Sequence, residues 1–331
     1  MQSKCIIPFL GILLSTGSIA VQRLAAQTEI PLDTSFTTHS AAEQVLKEYP
    51  FARVVDARLP YDVVAHENLI YISYGTRDLH LDRFEPENLE KGPYPAVLLI
   101  HGGGWRSGNR TMEHPMAEQI AEHGYVTATV EYRLSPEALY PAAVHDLKAA
   151  VRWMRAHATS YNVDSNRIGV MGFSAGGQLA ALIGTTNGMQ KFESGVGIAR
   201  YSTFVQAVVD IDGILDFTDP AESGKDTGSA GPSAGKAWFG TSYNEKPELW
   251  RDASPLQHVS ETTPPMIFIN SSHDRFHAGR DEMITELKKL GIYYEVHTML
   301  QTPHTFWLFH PWFETTRDYA VGFLYRVLKA R

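Results

Sequence analysis

The chain has 331 residues, 44% hydrophobic and 20% charged, with 29 Lys and Arg against 37 Asp and Glu for a formal net charge of −8. That composition is ordinary for a globular protein, and the acidic balance without any basic run argues against a nucleic-acid-binding surface. The single cysteine, Cys5, falls in the N-terminal segment considered next, so a mature chain without it has no disulfide, no thiol nucleophile and no cysteine-ligated metal.

Lys4, the apolar run Ile6 to Leu14 and the small residues through Ala20 form a charged n-region, an h-region and a cleavage zone. Residues 1–26 therefore read as a secretory signal, cleaved after Ala20 or within Ala25-Ala26-Gln27, and the protein is expected to be secreted or periplasmic. Ser15, Thr16 and Ser18 interrupt the run too early for a membrane span, which needs about 20 apolar residues, so no membrane partner is expected. Residues 27–67 form an N-terminal extension, polar and irregular, with a short helix around Ala41 to Glu48. Residues 68–331 read as one catalytic domain.

Leu69 to Tyr74 and Leu79 to Phe84 predict an antiparallel pair at a sheet edge. Ala96 to Ile100, Tyr125 to Val130, Ile168 to Met171, Val205 to Ile211, Met266 to Asn270 and Tyr294 to Met299 are apolar runs of the kind that strands covered on both faces require. Helical spacing recurs between and after them, at Val144, Leu147, Val151, Met154 and Ala158, at Met283, Leu287 and Leu290, and from Ala320 to Leu328. This alternation predicts an α/β fold with a mostly parallel, doubly wound sheet and helices on both faces, its ligand at the carboxyl ends of the strands. A Gly/Ser-rich loop at 216–244 breaks the rhythm and reads equally as a lid or as a disordered insertion.

Gly172-Phe173-Ser174-Ala175-Gly176 follows one strand directly and precedes a run of small residues. A serine on such a strand-to-helix elbow is exposed above the sheet, with free N–H groups of the helix beside it. The chain order then requires an acid and a histidine further on. Asp274 follows the strand ending at Asn270, and His304 follows the strand ending at Met299. Ser174, Asp274 and His304 are the expected catalytic residues. Asp281 is a rival acid, less favoured because it begins a helix and capping that helix is the plainer role for it. His101-Gly102-Gly103-Gly104-Trp105 follows another strand end, and glycine N–H groups approach developing charge closely. Gly103 or Gly104 with Ala175 is the expected oxyanion hole. Trp105 and Trp307 are candidate substrate contacts, for flat rings cover the apolar face of a sugar; for the segment around Trp307 packing is at least as good a reading. His101 is expected to brace its loop, and Asp146 with Arg133 to make a structural contact. His273 and His277 lack a third ligand, so neither a metal nor any other cofactor is expected.

These motifs, with Tyr132-Arg133-Leu134-Ser135, Tyr140-Pro141-Ala142, His145 to Ala150 and Ala253-Ser254-Pro255-Leu256, resemble the α/β-hydrolase esterases of the hormone-sensitive-lipase-like group, and most of all the bacterial feruloyl and acetyl esterase branch that acts on plant polysaccharides. The likeness runs from about Tyr71 to the C-terminus. It implies the α/β-hydrolase fold and a serine esterase removing acetyl or similar groups from an oligosaccharide or other small ester. One departure stands out: the family's acid loop reads Asp, two residues, Val-Pro, where this chain has Asp274-Arg275-Phe276-His277. An aryl or short-chain lipid esterase, an amidase similar to kynurenine formamidase and a non-catalytic carbohydrate-binding hydrolase fold are the alternatives. Oligomeric state stays open.

Overall fold

The computed structural model describes residues 33–88, 92–193, 198–224 and 232–330. The signal segment at 1–26, with Cys5, lies outside them, as does the middle of the Gly/Ser-rich loop. In chain order the helix α1 (Thr38–Glu48) precedes the strands β1 (Arg53–Val54), β2 (Val63–Tyr74), β3 (Arg77–Pro86) and β4 (Tyr94–Ile100). Then come α2 (His114–Glu122), β5 (Val126–Val130), α3 (Ala142–Ala156), β6 (Val163–Phe173), α4 (Ala175–Thr185) and β7 (Ala207–Ile211). Three short helices, α5 (Pro220–Ser223), α6 (Ala234–Phe239) and α7 (Pro247–Asp252), lead to β8 (Met266–Ser271), α8 (Arg280–Lys289), β9 (Tyr294–Met299), β10 (Phe309–His310) and α9 (Trp312–Leu324).

Eight strands make one sheet in the order β2-β3-β5-β4-β6-β7-β8-β9. β2, β3 and β5 pair antiparallel, and every pairing from β5 to β9 is parallel. This is the mostly parallel sheet with an antiparallel edge that the apolar runs predict. β4 shows how both faces are covered, since successive side chains of a strand point to opposite sides. Val97 and Leu99 pack with Met116 and Ile120 of α2 and Phe323 and Leu324 of α9. Ala96, Leu98 and Ile100 pack with Val144, Leu147 and Val151 of α3 and Leu179 and Leu182 of α4. Burying a Leu or Val side chain of this kind contributes about 1.5–3 kcal/mol each.

Two features escape the sequence pattern. The sheet starts at Val63, inside the stretch read as extension. A second, two-stranded sheet pairs Arg53 with His310 and Val54 with Phe309, tying the N-terminal extension to the segment just beyond His304. The helix foreseen around Ala41 to Glu48 begins three residues earlier, where Thr37 and Ser40 form a reciprocal capping box.

Candidate functional site

The elbow is built by steric exclusion. A Cβ on Gly172 would stand 1.9 Å from the carbonyl oxygen of Gly176, and one on Gly176 would stand 2.0 Å from that of Ile100. Only glycine fits at either flank. Ser174 between them has φ 54° and ψ −118°, outside the ordinary regions for a side-chain-bearing residue, and its N–H donates to the carbonyl of Ile211 at 2.7 Å. Such strain costs about 1–3 kcal/mol and persists only where the surroundings enforce it. Here the end of β7 and the packed start of α4 do so.

His304 Nε2 lies 2.8 Å from Ser174 Oγ, and its Nδ1 lies 2.8 Å from Oδ2 of Asp212. A carboxylate only accepts, so Nδ1 carries the ring proton and Nε2 presents a lone pair to the serine hydroxyl. Asp212 is fully buried, and its other oxygen accepts the Ser271 N–H at 2.7 Å. It follows β7 directly in a left-handed conformation, φ 51°. Both partner distances are those of good hydrogen bonds. Burial pulls the His304 pKa below its ordinary value, opposed by the hydrogen bond and charge of Asp212. The ring stacks on Phe276 at 3.6 Å between centroids, 5° from parallel, and keeps 27% of its side chain exposed on the cavity that it lines.

The acid facing the histidine is therefore Asp212, where the sequence reading favours Asp274. Asp274 is exposed and opens a 3-10 turn running to His277, and Asp281 is exposed and paired with Arg280 at 2.9 Å. The physical reason lies in the loop after β8. Asn270 Nδ2 donates to the Phe276 carbonyl at 3.1 Å, and the His277 ring bonds the Ser271 carbonyl at 2.8 Å. Folded in this way, the loop turns Phe276 toward the histidine and leaves Asp274 outside. The chain carried a signal for Asp212: it stands first after a predicted strand, it is followed by Gly213, and it falls between Ser174 and His304 in order. Beneath it, Asp210 is buried too. Its Oδ1 accepts the Gly213 N–H at 2.9 Å while Oδ2 has no partner among the described residues. Burial, and less so the neighbouring Asp212 charge, push its pKa well above the carboxylate range.

Gly103, Gly104 and Ala175 line the same cavity as Ser174 and His304. Gly103 has φ +119° and no room for a Cβ, which would stand 2.1 Å from the Ser107 carbonyl oxygen. Its own carbonyl takes the N–H groups of Arg106 and Ser107, closing the loop. The N–H groups of Gly103 and Gly104 find no acceptor among the described residues. Ala175 opens α4, where N–H groups have no partner within the helix. The three expected donors thus border one space beside Ser174 Oγ. His101 braces this loop as expected: it is buried, bonded to the Gly102 carbonyl and stacked on Tyr132, and burial drops its pKa to about 4. Arg133 and the buried Asp146 form the anticipated structural pair at 2.7 Å.

The cavity holds about 250 Å³. Trp105 forms part of its wall but is only 3% exposed, stacked on Trp238 at 5.0 Å with its Nε1 donating to Gln178 at 2.9 Å. It shapes the pocket more than it offers a platform. Trp307 is not on this cavity. It is buried against Phe173 and stands edge-on to His304, so its part is to pack behind the histidine, correcting its assignment as a substrate contact. Ala234 of α6 contributes from the Gly/Ser-rich loop, whose Trp238 and Phe239 are packed in the core. Ser35 and Phe36 of the N-terminal extension also line the cavity. Nothing in the pattern of that polar segment signalled them. Among the described residues no three His, Cys, Asp or Glu side chains are grouped to hold a metal, and no helix is long and apolar enough to cross a membrane.

A family model described as BD-FAE matches residues 81–278. Esterase LipC of Mycobacterium tuberculosis is 31% identical over 195 residues, covering 59% of this chain and 48% of LipC. Carboxylesterase NlhH of the same organism is 33% identical over 156 residues, covering 46% of this chain and 48% of NlhH. The chain thus spans about half the length of these curated relatives. A carbohydrate esterase from gut microbiota, solved in truncated form, superposes with a TM-score of 0.67 at 24% identity, over 79% of this chain and 96% of that one, a likeness of fold.

Proposed function

Because the chain belongs to the BD-FAE family, an α/β-hydrolase esterase family, we propose that it is a serine carboxylic-ester hydrolase acting through Ser174, His304 and Asp212. The observation that carries this reading is the unbroken hydrogen-bonded line from Ser174 Oγ through both ring nitrogens of His304 to a buried carboxylate. Ser174 Oγ attacks the ester carbonyl as its proton passes to His304 Nε2. Asp212 holds the ring in the required tautomer and stabilises the imidazolium. The N–H groups of Ala175 and of Gly103 or Gly104 receive the developing oxyanion, each such donor being worth about 3–4 kcal/mol in the transition state. His304 then gives its proton to the leaving alcohol oxygen, and water repeats the sequence to release the acid and free Ser174.

The acyl group is acetyl or a similar short one, as the resemblance to the acetyl-esterase branch suggests, and it is received in the cavity walled by Trp105, Ile214 and Phe276. The alcohol is a sugar of a plant polysaccharide or its oligosaccharides, and the enzyme works in the periplasm or outside the cell. The resemblance to the carbohydrate-acting branch and the leader-like residues Lys4 to Ala20 support these two finer points. The test is hydrolysis of p-nitrophenyl acetate by wild type and Ser174→Ala, followed by acetate release from acetylated xylan, pectin and feruloylated oligosaccharides. Loss of roughly 10⁴-fold or more in the variant is expected. Equal rates in the two proteins would sink the serine mechanism, and acetate release from none of the polysaccharides would sink the carbohydrate assignment.

A further inference from the structure

A second cavity of about 280 Å³ adjoins the first across Arg106, whose side chain lines both. His101, Tyr132, Leu134, Pro136 and Glu137 are among the residues that line it. Its wall is built from ion pairs. Arg77 Nε meets Glu137 Oε1 at 2.8 Å and its Nη2 meets Glu131 Oε1 at 2.7 Å, while Arg106 Nε meets Asp33 Oδ2 at 2.6 Å. Arg110, bonded to Asp82 at 2.7 Å, completes the lining cations.

The bookkeeping of donors and acceptors defines what fits there. The lining carries three guanidinium groups and three carboxylates, so it offers no net charge to an ionic ligand. Arg106 commits only its Nε among the described residues, which leaves the two terminal nitrogens as donors. Glu137 commits Oε1 to Arg77 and holds Oε2 at a weak 3.4 Å, which leaves acceptor capacity. A ligand that both gives and takes hydrogen bonds at neighbouring points, without charge, is a polyhydroxyl compound. Leu134, half-buried, and Pro136, exposed, add an apolar patch of the kind that covers a sugar's C–H face. The volume lies just below the roughly 300–1,000 Å³ of small-molecule sites, room for a sugar ring.

We infer that this second cavity is a glycosyl subsite, holding a neutral sugar of the leaving alcohol while the acyl group occupies the cavity beside Ser174. The inference rests on the ester-hydrolase reading for its role, though the binding itself is measured without catalysis. The Ser174→Ala protein is titrated with xylotetraose, which bears no ester, and separately with tetragalacturonate, followed by calorimetry and by amide chemical shifts. Xylotetraose is expected to bind, with shift changes at Gly108, Asn109, Leu134 and Glu137, and to bind at least about tenfold tighter than the acidic sugar. Glu137→Gln in the same background is expected to weaken xylotetraose about tenfold or more. The inference is overturned by no heat and no shifts at about 10 mM xylotetraose, a regime weaker than millimolar binding. Shifts clustered away from those residues, or preference for the acidic sugar, overturn it as well. The shift map keeps the test decisive should Glu137→Gln fold poorly. Failure of the ester reading shows separately, as equal p-nitrophenyl acetate rates with and without Ser174.

Discussion

Exchanging Asp212 for asparagine tests the site where sequence and structure part. The backbone dictates how the new amide sits. The Ser271 N–H, 2.7 Å from Oδ1 in a fully buried setting, needs an acceptor, so the amide oxygen stays there and its NH₂ faces His304. Nδ1 must then accept, the ring proton moves to Nε2, and the lone pair that receives the serine proton is gone. Flipping the amide restores the lone pair but sets NH₂ against the Ser271 N–H. A buried, unsatisfied donor costs about 1–3 kcal/mol, so the productive orientation is depleted about 5- to 150-fold. The flipped amide also carries no charge to stabilise the imidazolium. Together these give a loss in kcat of roughly 10⁴-fold, about 5 kcal/mol at 1.36 kcal/mol per decade.

The assay is steady-state p-nitrophenyl acetate hydrolysis across pH, with Asp274→Asn alongside. Asp274 is exposed and outside the hydrogen-bonded line, so its exchange is expected to change kcat less than about twofold, the range of ordinary surface substitutions. The residual activity of Asp212→Asn carries a second signature. Asp212 raises the His304 pKa, so removing its charge shifts the acid limb of kcat/KM to still lower pH. An Asp212→Asn enzyme within tenfold of wild type, or an Asp274→Asn enzyme as damaged as it, refutes the assignment.

Two more expectations follow from buried groups near the line. Phe276→Ala uncovers the ring face now stacked at 3.6 Å, so water reaches the imidazole and its pKa climbs back toward the ordinary value; the acid limb of kcat/KM moves to higher pH, opposite to Asp212→Asn, and a limb that stays or moves down contradicts the burial argument. Burial raises the Asp210 pKa in the fold above its value in the unfolded chain, so the contribution of Asp210 to stability falls as pH rises above the ordinary carboxylate value. Asp210→Asn does not titrate, and thermal melts from pH 5 to 8 are expected to show its Tm gaining on wild type as pH rises. A gap that is constant or shrinks removes that account.

The parts legible in the chain were those that physics forces locally. β4, β6 and β8 are covered on both faces and so announce themselves as unbroken apolar runs, while β1 and β10, two residues each, carry no period to read. The elbow was legible because two absent Cβ atoms fix it, and the glycine loop because Gly103 admits nothing else. Trp307 misled because an aromatic beside a histidine reads the same whether it faces ligand or core.

The acid was a harder case, and its difficulty is instructive. β7 and β8 are adjacent parallel strands whose carboxyl ends both point toward the site, and each is followed within a few residues by an aspartate. Chain order accepts either. What decides is whether the loop after the strand turns its carboxylate in, and that depends on partners far off in sequence or hidden in loop geometry. Asp212 is held in a left-handed turn because Asp210 grips the Gly213 N–H and Ser271, on the neighbouring strand, grips Asp212. The β8 loop, pinned by Asn270 and His277, turns Phe276 inward in the space a second carboxylate would need. A charged group there would sit against the desolvated His304 ring and compete with Asp212 for it; with the carboxylate supplied from β7, one strand further in, the loop after β8 is free to present the apolar face that the histidine stacks on.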